Sequence, residues 1–169
     1  LEPFLIARTE LSVAQSARLT GEGVGNVDPM LPKTDLDYYS ATRELGRWGM
    51  QLPTETQWEY ACRAGTTSPW SSGDDAATAA RVGWLDGPVA RCGQLPSNSF
   101  GICDAHGNVA EWCRDEKLPY PDFPARDGDG LRSRPTTSRD AMRAVRGGSV
   151  RDGAVGCRST ARSSHAPDG

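Results

Sequence analysis

The sequence predicts an α+β domain with about three helices, short strands and much irregular loop, on three observations. Two helix starts carry complete capping patterns, Ser12 with Gln15 and Thr54 with Gln57. Two apolar runs, PFLIARTEL and RAVRGGSV, have strand character. The 169 residues are 37% hydrophobic, enough for one core, yet include 19 Gly and 12 Pro, which keep a large share of the backbone in turns. A single domain over residues 1–169 is expected, as a piece of a longer chain, since the first residue is Leu1.

In chain order, Phe4 and Ile6 alternate with Leu5 and Ala7, the pattern of a strand buried on both sides, running through the centre of a small sheet. Ser12 then caps a helix over Val13 to Leu19. Thr20 to Lys33, punctuated by Gly21, Gly23, Gly25, Pro29 and Pro32, is loop. Asp37 caps a second helix, Tyr38 to Trp48, with Ala41, Leu45 and Trp48 on one face and Gly49 as its stop. In the third helix Trp58, Ala61 and Cys62 share a face and Gly65 supplies the stop. Glu55 and Glu59 read as first-turn acids stabilised by the helix dipole rather than as a catalytic carboxylate pair. Thr66 to Pro96 is loop, anchored by Trp70 and Trp84. Pro119 to Asp140 is a surface excursion offering Tyr120, Phe123 and Arg126 as contact residues, and its DGDG stretch (Asp127 to Gly130) is an ordinary turn. RAVR is a strand entering a double-glycine turn at Gly147 and Gly148.

A formal net charge of −3 with interspersed signs gives no footprint for nucleic acid or an anionic membrane, and no apolar run has membrane-spanning length. The five cysteines, at 62, 92, 103, 113 and 157, are odd in number and lack a CxxC pair, so buried thiols and a reducing, cytoplasmic setting are favoured over a disulfide framework or a zinc site. A bridge between Cys62 and Cys157 stays open for a secreted protein. His106 and His165 are the only histidines, and neither stands in a nucleophile–base spacing, so surface or hydrogen-bonding roles are expected.

DAHGNVAEW is the candidate metal segment. A hard cation takes six to eight oxygens, and a Gly-Asn turn between two acids can aim carboxylates and carbonyls at one point. The alternative is a hairpin turn with a solvated Asp104 and a salt-bridged Glu111.

Three islands, LPTETQWEYACRAG (Leu52 to Gly65), FGICDAHGNVAEWCRD (Phe100 to Asp115) and RGGSVRDGAVGCRSTARS (Arg146 to Ser163), together resemble the formylglycine-generating enzyme family, the sulfatase-modifying-factor domain. The resemblance implies a C-type-lectin-like fold with small twisted antiparallel sheets. It also implies structural calcium on the Asp104 and Glu111 side chains and the Gly107 and Val109 carbonyls. The oxidases of the family bind copper(I) through two cysteines after the GGS turn. Here that interval reads Val150, Arg151, Asp152, Gly153, Ala154, Val155, Gly156, with no thiol before Cys157, so no copper is expected.

Two readings follow from different classes. The first is a recognition module, as in the variable receptors of diversity-generating retroelements built on this domain type, binding a protein or other ligand through Val150, Arg151, Asp152, Ala154, Val155, Thr160, Ser163, Ser164 and His165. The second is a copper oxidase converting a substrate cysteine to formylglycine. A regulatory or partner domain of a multidomain protein is a further alternative. The balance leans away from an enzyme, because the cysteine pair is missing.

Overall fold

A computed structural model describes residues 1–134 and 138–168. The element order is α1 (Val13–Thr20), α2 (Tyr38–Gly46), α3 (Glu55–Arg63), α4 (Ala76–Ala79), β1 (Glu111–Glu116), β2 (Arg143–Arg146), α5 (Gly153–Gly156) and β3 (Ser163–His165). The strands form one antiparallel sheet in the order β1-β2-β3, with Trp112 opposite Val145 and Val145 opposite Ser163. The architecture is α+β and small, as the sequence predicts.

The helices begin where their caps place them. Ser12 and Thr54 each complete a reciprocal capping box with the glutamine three residues on, and Asp37 accepts from the Ser40 backbone. Packing of α3 against β1 and β2 builds the core, in which Trp58, Cys62, Ala105, Cys113 and Ala144 meet and Ile102 closes the side. All four residues of β2 are buried, so the strand that feeds the double-glycine turn runs through the middle of the sheet.

Three expectations are corrected. Pro3 to Leu11 forms no strand: Phe4 and Ile6 are half-buried while Leu5 is fully exposed, so the alternation survives on one face only. Its backbone is tied by single contacts, Cys103 N–H to Arg8 O at 2.8 Å and Lys33 N–H to Leu11 O at 2.7 Å, rather than by a continuous ladder. The second helix ends at Gly46, two residues early, and Trp48 lies 60% exposed with its indole N–H on Leu19 O. Glycine inside that last turn lowers its helix propensity, and Trp48 N–H and Met50 N–H both turn back onto Leu45 O. Glu55 is not a solvated dipole partner: its side chain is buried and paired with Arg146 and Arg162.

Strands β1 and β3 and the one-turn helices α4 and α5 lie outside the sequence expectations. In the excursion, Tyr120 sits between the guanidinium groups of Arg132 and Arg162, at 4.3 and 3.8 Å from its ring centroid. The DGDG turn is closed by Asp129, which accepts from Arg126 and the Leu131 N–H. Positions 135–137 of the excursion lie outside the described residues. Among the described residues no helix is long and apolar enough to cross a membrane.

Candidate functional site

Two regions meet around the Gly147–Gly148 turn, and buried polar contacts lock them together. The first is the 104–111 turn. Gly107 has φ 92°, and a Cβ there would lie 2.0 Å from Trp84 O, so close pairing with Trp84 requires glycine. Asn108, also at positive φ, donates to Glu10 Oε2 at 2.7 Å and to Ala90 O, and accepts from Ala90 N. Val109 N–H donates to Glu10 Oε1 at 3.0 Å. Glu10, at the end of the first segment, therefore braces the turn.

His106 is buried at the centre of this region. The Ser71 N–H donates to Nε2 at 3.1 Å, which leaves Nδ1–H to donate to Cys157 O at 2.8 Å. That is a neutral ring, and burial pulls its pKa below the ordinary value. One imidazole thereby joins the 104–111 turn, the loop around Ser71 and the CRSTAR segment.

Of the four predicted metal ligands, both carboxylates are enclosed. Asp104 accepts from Gly93 N–H at 2.6 Å through Oδ2, while its Oδ1 is buried and has no hydrogen-bond partner among the described residues. Glu111 accepts from the Trp58 side chain, and burial with help from Asp104 pushes its carboxyl up to about 7. The alternative of a solvated Asp104 and a salt-bridged Glu111 does not hold: Asp104 is 1% exposed, and Glu111 is in no ion pair among the described residues. Glu10 is pushed up to about 9 by burial and then by Glu111 and Asp104. Several buried acids facing an orphaned oxygen with no cationic partner are a donor set that fits a cation.

The second region is the rim after the glycines. Gly148, φ 67°, could not carry a Cβ, which would stand 2.8 Å from both Cys157 Sγ and Gly156 O. Asp152 accepts from Ser149 N–H at 2.8 Å and Ser149 Oγ at 2.7 Å, Val150 N–H donates to Asn108 O, and Trp70 Nε1–H donates to Ala154 O at 3.0 Å. These bonds leave Arg151, Val155, Thr160, Ser163 and His165 exposed and Val150, Ala154 and Ser164 half-buried, while Asp152 is exposed but spends its carboxylate on the turn. The predicted set is divided in space. Residues 150–155 lead into and form α5, whereas Ser163 to His165 form edge strand β3, where His165 stands edge-on to Trp112 at 5.9 Å.

Beneath the rim, Arg146 is fully buried and donates to Glu59 Oε2 and Ser159 O, both at 2.6 Å, with Trp58 under its guanidinium. Arg162 donates to Glu55 and to Leu118 O. This network anchors both ends of the CRSTAR segment to α3. All five cysteines are buried and free, and Cys157 donates to Ser149 O, its thiol pushed up to about 11 by burial and Asp152.

The profile of the family described as "Sulfatase-modifying factor enzyme 1-like domain" matches residues 1–169. The chain belongs to this family. Among relatives of this sulfatase-modifying-factor-like domain, the formylglycine-generating enzyme of Mycobacterium tuberculosis is 37% identical over 92 residues, covering 44% of this chain and 30% of the relative. That of Streptomyces coelicolor is 33% identical over 164 residues, covering 83% and 49%. The domain thus spans about half or less of the length of these relatives. Among solved structures, Treponema denticola variable protein 1 superposes with a TM-score of 0.79 at 19% identity, covering 95% of this chain and 78% of that one, which shows the shared fold.

Sequence reasoning missed Glu10, the Glu55–Arg146–Arg162 network, and a cavity of about 890 Å³ beside the core. Phe4, Leu19, Leu45, Trp58 and Trp112 help to line that cavity, and no residue of the 150–165 rim does. The cavity gathers residues from many segments, so no local pattern could have signalled it.

Proposed function

We propose that this domain is a recognition module that binds a protein or similar ligand through the rim formed by residues 150–155, Thr160 and 163–165. One observation carries the reading: the rim's backbone is pinned from below by Asn108, Trp70 and Asp152, while Arg151, Val155 and Thr160 face water with no interior role. A rigid backbone with free side chains is what variable recognition needs, because side chains can change without cost to the fold. The likeness to a variable protein of Treponema denticola supports the reading at the level of fold.

The oxidase alternative needs two accessible thiolates at one point, whereas the one cysteine beside the glycine turn is buried with a raised pKa. Calcium has a structural part in the proposal. It would sit on Asp104 and Glu111 with the Gly107 and Val109 carbonyls, neutralising buried acids and stiffening the turn that supports Val150.

Site-specific photocrosslinking tests the module. A photoreactive residue at Val155, exposed on α5, is expected to capture a discrete partner from an extract of the source cells, competed away by the unlabelled domain. The same residue at Glu22, in the exposed loop after α1, is expected to capture none. Identical capture from both positions would refute the assignment.

A further inference from the structure

The Glu10 carboxylate, the Cys92 thiol and the Asp104 carboxylate converge from three separate segments, with one donor atom of each within 4.8 Å of the others. All three are buried, at 6%, 8% and 1% exposure. Asp104 Oδ1 has no partner among the described residues, and no Lys, Arg or His pairs with Glu10 or Asp104 there. An unpaired carboxylate oxygen at that depth is costly unless something positive meets it.

We propose that Glu10, Cys92 and Asp104 form a binding site for a divalent cation of the zinc class. The sulfur donor decides the class: calcium and magnesium take oxygen donors, whereas zinc accepts thiolate and carboxylate together. The spacing agrees. Cys92 Sγ stands 3.8 Å from Glu10 Oε2. The edge of a tetrahedron with a metal–sulfur bond of about 2.3 Å and a metal–oxygen bond of about 2.0–2.2 Å is about 3.6 Å. Three protein donors leave the fourth position of such an ion to water or another small ligand.

The donors are also held as metal ligands are held. Glu10 Oε2 accepts from Asn108 Nδ2 and Oε1 from Val109 N–H, while Asp104 Oδ2 accepts from Gly93 N–H, so each carboxylate is oriented and keeps lone pairs to offer. Backbone bonds bring the segments together without an ion: Cys92 N–H donates to Met30 O at 2.9 Å and Cys103 N–H to Arg8 O at 2.8 Å. The site shares Asp104 with the calcium reading but faces Glu10 and Cys92 instead of Glu111, and it does not depend on the recognition rim.

Cobalt(II), which substitutes for zinc and reports sulfur ligation by thiolate-to-metal charge-transfer absorption, gives the test. The whole chain, freed of metal with a chelator, is titrated with cobalt and then with zinc. One equivalent of cobalt is expected to bind with a charge-transfer band that zinc abolishes and calcium alone does not produce. Cys92→Ser is expected to lose the band, Cys103→Ser to keep it, and Glu10→Gln to weaken cobalt binding by about 10-fold or more. Absence of the band from the unaltered chain, or its persistence in Cys92→Ser, overturns the site. Should Cys92→Ser not fold, Glu10→Gln decides, and unaltered cobalt affinity in that variant overturns it.

Discussion

His106 shows how much one residue carries at the scale of single side chains. It is a hydrogen-bond donor to the CRSTAR segment and an acceptor from the Ser71 backbone, so His106→Ala orphans two buried groups at once. A loss of about 2–5 kcal/mol in unfolding free energy at pH 8 is expected, read from a urea titration. The sign with pH follows from its depressed pKa. The folded state favours the neutral ring, so the residue's contribution is complete above the ordinary histidine range and is lost as pH falls through it towards the folded value. The difference between the unaltered chain and His106→Ala should therefore shrink between about pH 7 and pH 5. A constant difference would mean that the ring is already charged in the fold. Sequence alone placed His106 at a turn but not in the interior, because nothing local announces Cys157 and Ser71 as its partners.

At the scale of elements, legibility follows the range of the interaction. Helices α1, α2 and α3 were readable because their caps lie within three residues of the positions they satisfy. The Gly147–Gly148 turn was readable for the same reason. The stretch Pro3 to Leu11 has a strand's alternation, but a strand needs a neighbour, and no pattern within the stretch says whether one is supplied. The edge strand β3 was likewise invisible, since SSH acquires its state only from pairing with β2. Arg146, at the end of β2, read as one side of a strand, and its partners Glu55, Glu59 and Ser159 emerged only from the fold. Arg146→Ala should destabilise by about 3–5 kcal/mol, because it leaves the buried Glu55 with a lone partner and removes the guanidinium over Trp58. Arg146→Met, which keeps the packing, separates the two contributions. Equal losses in both variants would show that charge alone holds α3 to β2.

At the scale of the whole molecule, the core is modest and the polar interior does much of the holding. A small cluster around Trp58 and Cys113 is supplemented by the arginine–glutamate network and by Glu10 bracing the turn. The two candidate functions divide along this plan. The metal-ligand donors lie inside, drawn from segments far apart in the sequence, which is why the Gly-Asn turn was legible as a metal locus while Glu10 and Cys92 were not. The rim lies outside, and its exposure after the glycines was legible because glycines and the CRSTAR motif fix both of its ends. Replacing Arg151, Thr160 and Ser163 together by alanine should leave the unfolding free energy within about 1 kcal/mol of the unaltered chain, since exposed side chains without buried partners contribute little to stability. The decisive measurement is the yield of partner crosslinked from Val155 in that triple variant. Recognition through the rim predicts that the crosslink disappears while the unfolding midpoint stays in place. A crosslink of undiminished yield would contradict it.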